Sequence, residues 1–244
     1  MGFHKCLDFH NKDFSALKDD PAILAWETGN ELYYPSLIWT IDLAHHIKVT
    51  LGAQQLVMDG RFLSRSGLYP ELSSPDHLQQ FSDLVDIMTD HFYPLSLETL
   101  VHTAESVAEI GLPFVIGEIG WTKSDTLEFL EVVEQLHDDD LVAGDLFWSM
   151  FGHAESLGHV THDDGYSLYW PNGPEPDSFH HNNPAYKTLV KNISDHMFRV
   201  SGRDVPETYL MSDAPPLITI LDCKPQQWIR SIFSLHQLWN IVKP

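Results

Sequence analysis

Basic residues are scarce in this chain: 14 Lys and Arg stand against 35 Asp and Glu in 244 residues, a formal charge of -21. A surface this negative repels phosphate backbones and anionic headgroups, which argues against nucleic acid and membrane surfaces as partners. A neutral polysaccharide meets no such penalty. Cysteine is nearly missing as well, with only Cys6 and Cys223 near opposite ends. A disulfide, two free thiols and two unrelated residues all stay open, so the redox compartment is not fixed. No apolar run is long enough to span a bilayer, and Met1-Gly2-Phe3-His4-Lys5-Cys6 lacks the apolar core of a secretory signal. Internal repeats at solenoid periods and low-complexity tracts are missing too, which excludes repeat architectures. The one glycosylation sequon, Asn192-Ile193-Ser194, falls in an expected helix and carries little weight for secretion.

What the chain does have is an alternation of short apolar runs with segments of helical period, the pattern of βα units and a parallel sheet. A hydrophobic content of 43% suffices for one large α/β core. Five strands are expected: Ala22–Thr28, Gln54–Asp59, Leu84–Asp90, Leu112–Glu118 and Val142–Trp148. Between them, Ser36 caps a helix over Leu37–Leu51, Gly111 closes one from Leu97, and Ser124 with Asp125 opens one through His137. Asn183-Pro184 starts a further helix to about Phe198, with proline at the first helical position, where an N–H would be unpaired anyway. An isolated helix over Leu7–Leu17 precedes the first strand. These elements make residues 1–203 one α/β domain, residues 204–216 a proline-containing linker, and residues 217–244 a tail without periodicity.

Two of the expected strands deliver a carboxylate at their carboxyl ends. Ile23-Leu24-Ala25-Trp26-Glu27-Thr28-Gly29-Asn30-Glu31 ends on adjacent Asn30 and Glu31, and Phe114-Val115-Ile116-Gly117-Glu118 ends on Glu118 between two glycines. Barrel enzymes place their chemistry at that end of the sheet. A pair of carboxyls there fits retaining glycoside hydrolysis, in which one protonates the leaving oxygen and the other attacks the anomeric carbon from about 5–5.5 Å away. Between them, Asp90-His91-Phe92-Tyr93-Pro94 puts His91 and Tyr93 two apart, on one side of a strand. Beyond Glu118, Val142-Ala143-Gly144-Asp145-Leu146-Phe147-Trp148 supplies an indole on which a sugar ring can lie.

In this order and spacing the segments resemble glycoside hydrolase family 5 of clan A, retaining enzymes built on a (β/α)8 barrel. The wording of Trp26-Glu27-Thr28-Gly29-Asn30-Glu31 and Asp90-His91-Phe92-Tyr93-Pro94 is most similar to the endo-β-1,4-mannanase branch, and related endo-β-1,4-glucanases share much of the frame. The resemblance implies strands four to eight of the barrel and a β-linked polysaccharide, mannan or glucan, as substrate. It implies Glu31 as acid/base, Glu118 as nucleophile hydrogen-bonded by Tyr93, Asn30 on the sugar 2-hydroxyl, His91 in support and Trp148 beneath the reacting ring. The long loop that follows adds His162, Tyr166 and Trp170 as cleft residues. Trp121 is either a subsite aromatic or a cap on the core. Glu27, inside the strand run, is read as pairing with a barrel neighbour. His153, His159, His162, Asp163 and Asp164 match no ligand spacing, and the chemistry needs no ion, so neither metal nor cofactor is expected.

The chain departs from the family pattern at its beginning. Upstream of Ala22 there is no room for strands one to three, nor for the Arg and His they carry in the family. The expectation is therefore a truncated barrel, a fragment of a larger extracellular enzyme, with open sheet edges and low stability. A non-catalytic carbohydrate-binding remnant is the rival expectation for such a chain.

Overall fold

The computed structural model describes residues 17–120, 126–151, 153–154, 158–159, 166, 168–169 and 184–205. The expected helix over Leu7–Leu17, both cysteines, the caps Ser124, Asp125 and Asn183, the tail and nearly all of the linker lie outside them. Two compact units divide the chain: Met1–His91 with Glu98–Gly117, and Phe92–Leu97 with Glu118–Pro244.

The first unit is a parallel sheet faced by helices. Strands β1 (Ala25–Glu27), β2 (Leu56–Asp59), β3 (Ile87–Phe92) and β4 (Phe114–Ile119) lie side by side in chain order. β1 pairs with β2 and β2 with β3, all parallel, in the registers Trp26 to Val57 and Met58 to Ile87. Helices Leu37–His45, Pro75–Ser82 and Leu97–Glu109 make the three crossovers. Consecutive parallel strands with a helix in each connection are the layout of part of a (β/α)8 barrel. Every residue of β3 is buried, as a sheet covered on both faces requires. In Leu97–Glu109 the buried residues Leu100, Thr103, Ala104 and Val107 fall at i, i+3, i+4 and i+7, one helical stripe. Gly111 takes φ 73°, the left-handed turn that ends this helix.

Ser36 caps the first helix as its sequence suggests, accepting the Trp39 N–H at 3.3 Å. That helix does not run regularly to Leu51. From His46 to Thr50 it widens into a π turn, in which Leu51 N–H donates to the His46 carbonyl five residues back. An added residue in a turn leaves no mark in hydrophobic period.

In the second unit, helix Thr126–Asp138 buries Thr126, Phe129, Leu130, Val133 and Leu136, again one stripe. β5 adjoins β4 but covers only Gly144–Asp145, not the whole of Val142–Trp148. Leu146 is 58% exposed, so the chain has left the sheet's alternation there, and pairing resumes only where Trp148 bridges Gly120. The expected loop after this strand contains short pairs: β6 (Met150–Phe151) with β9 (Leu168–Tyr169), and β7 (His153–Ala154) with β8 (Gly158–His159). The last helix among the described residues runs Pro184–Val200 and contains the sequon Asn192. Among the described residues no helix is long and apolar enough to cross a membrane.

Candidate active site

In the first unit, Glu31 is presented by a backbone that leaves β1 and returns to it. Thr28 still follows the ladder, its N–H donating to the Met58 carbonyl at 2.9 Å, while its hydroxyl accepts Gly60 N–H at 2.9 Å. The two chains then come so close that a Cβ on Gly60 would stand 1.8 Å from the Gly29 carbonyl oxygen. Only glycine permits that approach. Pairing resumes at Leu32, whose N–H donates to Gly60 O at 2.9 Å and whose carbonyl accepts Phe62 N–H at 3.1 Å. Between these fixed points Asn30 is exposed, and Glu31 sits in the left-handed region at φ 51°. A non-glycine residue there is held against its own preference, the kind of strain that collects at functional sites.

The Glu31 carboxylate meets His91. His91 Nδ1 lies 3.1 Å from Glu31 Oε1, with the His91 side chain 5% exposed and that of Glu31 33%. The imidazole is fixed from several directions. The Phe62 ring lies 6.3 Å away, centroid to centroid, and a Cβ on Gly117 would come within 2.8 Å of His91 Nε2 and 2.5 Å of Thr89 Oγ1. One residue earlier, the Asp90 carboxylate accepts Ser64 N–H at 2.8 Å and the Ser64 hydroxyl at 3.2 Å. Burial raises the Asp90 pKa to about 7 despite these bonds. Asp90 thus fastens the segment carrying Phe62 and Ser64 to the strand carrying His91.

In the second unit, Glu118 stands near the end of β4. Tyr93 donates its phenol hydrogen to Glu118 Oε2 at 2.8 Å. The Tyr166 ring meets Tyr93 edge to face, centroids 4.9 Å apart at 67°. Gly120 makes room for both, since a Cβ there would lie 2.9 Å from each ring. Trp148, half-buried, is tied to the same strand end by its N–H to the Ile119 carbonyl at 3.3 Å, and Ser149 N–H reaches the Tyr166 carbonyl at 3.2 Å. Tyr93, Glu118, Trp148 and Tyr166 are therefore neighbours, although Tyr166 lies well beyond the strand in sequence. His162, Trp121 and Trp170 lie outside the described residues.

Each unit brings together groups of complementary chemistry. Glu31 with His91 is a carboxyl within hydrogen-bond reach of a buried imidazole. Glu118 with Tyr93 is a carboxyl oriented by a phenol donor, beside an aromatic surface. Ser64 and Phe62 were not marked by the sequence. Phe62 does follow Arg61, one of the chain's few basic residues and a buried one, and a buried Arg needs a built environment.

No protein-family model matches the sequence, and no curated protein matches it. The structure is similar to that of a glycoside hydrolase family 5 mannosidase from Rhizomucor miehei, with a TM-score of 0.55 and 16% identity over 82% of this chain and 57% of that one. A variant of that enzyme in complex with mannosyl-fructose gives the same TM-score, 0.55, over 83% of this chain and 58% of that one. An endo-β-1,4-glucanase from Xanthomonas axonopodis pv. citri aligns at a TM-score of 0.46. The chain spans little more than half the length of the mannosidase, 57%. At these identities the likeness establishes the fold, a partial (β/α)8 barrel.

Proposed function

We propose that the protein is a retaining glycoside hydrolase acting on a β-linked polysaccharide, with β-1,4-mannan as the preferred substrate. Glu118 attacks the anomeric carbon, and Glu31 protonates the departing oxygen and then deprotonates water. The observation that carries this reading is the 2.8 Å hydrogen bond from Tyr93 to Glu118. A nucleophilic carboxylate must be ionised and oriented, and a phenol donor does both. The Glu31 contact with His91 supports the complementary role, since an acid/base must gain and lose a proton within one cycle. Trp148 and Tyr166 beside the nucleophile suit a sugar ring, Asn30, exposed next to Glu31, takes a sugar hydroxyl in this reading, and the barrel fold shared with a mannosidase agrees with this class.

The test compares the purified chain with Glu118→Ala and Glu31→Ala on mannan and on carboxymethylcellulose, reading reducing ends and anomeric configuration. Retained configuration, with loss of turnover in both variants, is expected. With an aryl β-mannooligosaccharide, whose phenolate departs without protonation, azide should restore turnover in each, giving the inverted glycosyl azide with Glu118→Ala and the retained one with Glu31→Ala. Equal rates for parent and variants would sink the catalytic assignment. Faster release from carboxymethylcellulose would move the substrate to glucan.

A further inference from the structure

Two large aromatic side chains follow the Glu31 turn and remain in water: Tyr33 is 63% exposed and Tyr34 70%. Neither is loose. Tyr34 occupies the left-handed region at φ 50°, its N–H donates to Ser66 Oγ at 3.2 Å, and its phenol donates to the Arg65 carbonyl at 3.2 Å. The Pro35 carbonyl is held at 3.0 Å by Arg61, whose guanidinium also reaches the Ser66 carbonyl at 2.9 Å and stacks 4.2 Å from the Tyr69 ring. Tyr33 sets its ring edge-on to the buried Phe62 at 5.5 Å and 74°. Folding normally hides aromatic surface or leaves it mobile, yet here exposed rings are anchored on a strained backbone. A ring ordered in advance loses little entropy when a ligand covers it.

We infer that Tyr33 and Tyr34 form a sugar-binding platform for the leaving-group side of a β-linked chain. This rests on the hydrolase reading above. The side follows from chemistry: the acid/base must touch the departing oxygen, and the tyrosines share its turn, two and three residues further on. A pyranose presents C–H groups on its faces, and an exposed aromatic ring offers them an apolar surface without charge. In a chain of formal charge -21, such a surface selects neutral saccharides over anionic ones.

The experiment measures binding of mannopentaose and cellopentaose by calorimetry to the full chain in a Glu118→Ala background, so that ligand is not consumed. Tyr34→Ala and Tyr33→Ala are each compared with Tyr34→Phe, and thermal melting reports folding. One pentaose should bind the background protein, and each alanine variant should weaken it about tenfold. Tyr34→Phe, which keeps the ring and loses only the bond to Arg65, should retain most of the affinity. Equal affinity in all variants would overturn the platform and leave the hydrolase reading intact. Binding of neither sugar by the background protein would overturn both. If sedimentation instead shows a dimer that Tyr34→Ala dissociates, the surface belongs to a second copy of the chain and the inference falls.

Discussion

The buried imidazole of His196 places Nε2 3.1 Å from Asp145 Oδ2, while its Nδ1 lies 2.9 Å from Glu134. Asp145 also receives His137 at 3.1 Å, Arg199 covers Glu134 at 2.8 Å, and the Phe147 ring stands edge-on to His196 at 5.9 Å. Burial alone would depress the His196 pKa, but Asp145 and then Glu134 outweigh it and hold the group above its ordinary 6.5. For Asp145, burial would raise the value, and the hydrogen bonds from His137 and His196 bring it instead to about 2. Burial opposes Glu134 in the same way, and Arg199 and His196 carry it below its usual range.

A pH optimum follows from these directions. A raised histidine contributes stability that is complete below its unfolded value near 6.5 and lost as pH rises through its folded value. A depressed aspartate contributes above its unfolded 3.8 and loses that contribution as pH falls toward 2. The cluster is strongest between those limits. His196→Gln, uncharged throughout, should cost about 3 kcal/mol at pH 5 and progressively less above neutrality. Urea unfolding of parent and variant from pH 4 to 9 checks this; a difference that does not change with pH removes the imidazolium from the account.

Asp59 predicts the opposite outcome for a substitution. Its carboxyl is buried among Tyr69, Thr28 and the Arg61 N–H, all of which meet Oδ1, while Oδ2 has no partner among the described residues. Burial raises its pKa from 3.8 to about 6, even though Tyr69 and Arg61 pull the other way. A raised acid stabilises fully below 3.8, and that contribution is lost as pH climbs through 6, a difference of about 3 kcal/mol. Asp59→Asn keeps the acceptor and cannot ionise, so it should melt higher than the parent at pH 8 and about equally at pH 4. Calorimetric melting at the two pH values decides it.

The parts of this arrangement differ in how far they could be foreseen. Phe114 to Ile119 announces itself as a strand because it is apolar on both faces, and His91 with Tyr93 shows the two-residue period of a strand end. Helix faces such as Leu100, Thr103, Ala104 and Val107 are legible for the same reason. The tie between Ser64 and Asp90 crosses 26 residues and that between His196 and Asp145 crosses 51, so no local period records either. The π turn at His46–Thr50 and the short β5 escape as well, since both are set by neighbours rather than by propensity.

Gly117 is the position where a single methyl should disturb the contact of His91 with Glu31, the proposed acid/base, without touching Glu31. An alanine Cβ would meet Thr89 Oγ1 at 2.5 Å and His91 Nε2 at 2.8 Å, and both side chains are buried with nowhere to yield. Overpacking of this kind costs about 1–3 kcal/mol. Gly117→Ala should therefore lower stability and, by shifting His91 against Glu31, reduce polysaccharide hydrolysis together with it. Gly52→Ala provides the control: at φ 65° it is strained, but nothing lies within 4 Å, so it should lose stability while the activity of the folded fraction is kept. A Gly117→Ala protein as active per folded molecule as the parent would disconnect His91 from the chemistry.

Tyr93→Phe isolates the hydrogen bond on which the nucleophile assignment depends. The phenol ring stays to pack against Tyr166 at 4.9 Å, and only the donor to Glu118 disappears. A hydrogen bond to a charged group is worth about 1.5–3 kcal/mol, which corresponds to a roughly 10- to 150-fold lower kcat/KM if the bond is kept through the transition state. An unchanged rate would assign Tyr93 to packing alone. A lower rate in Tyr93→Phe, with hydrolysis abolished in Glu118→Ala, would identify Glu118 as the attacking group that the phenol orients.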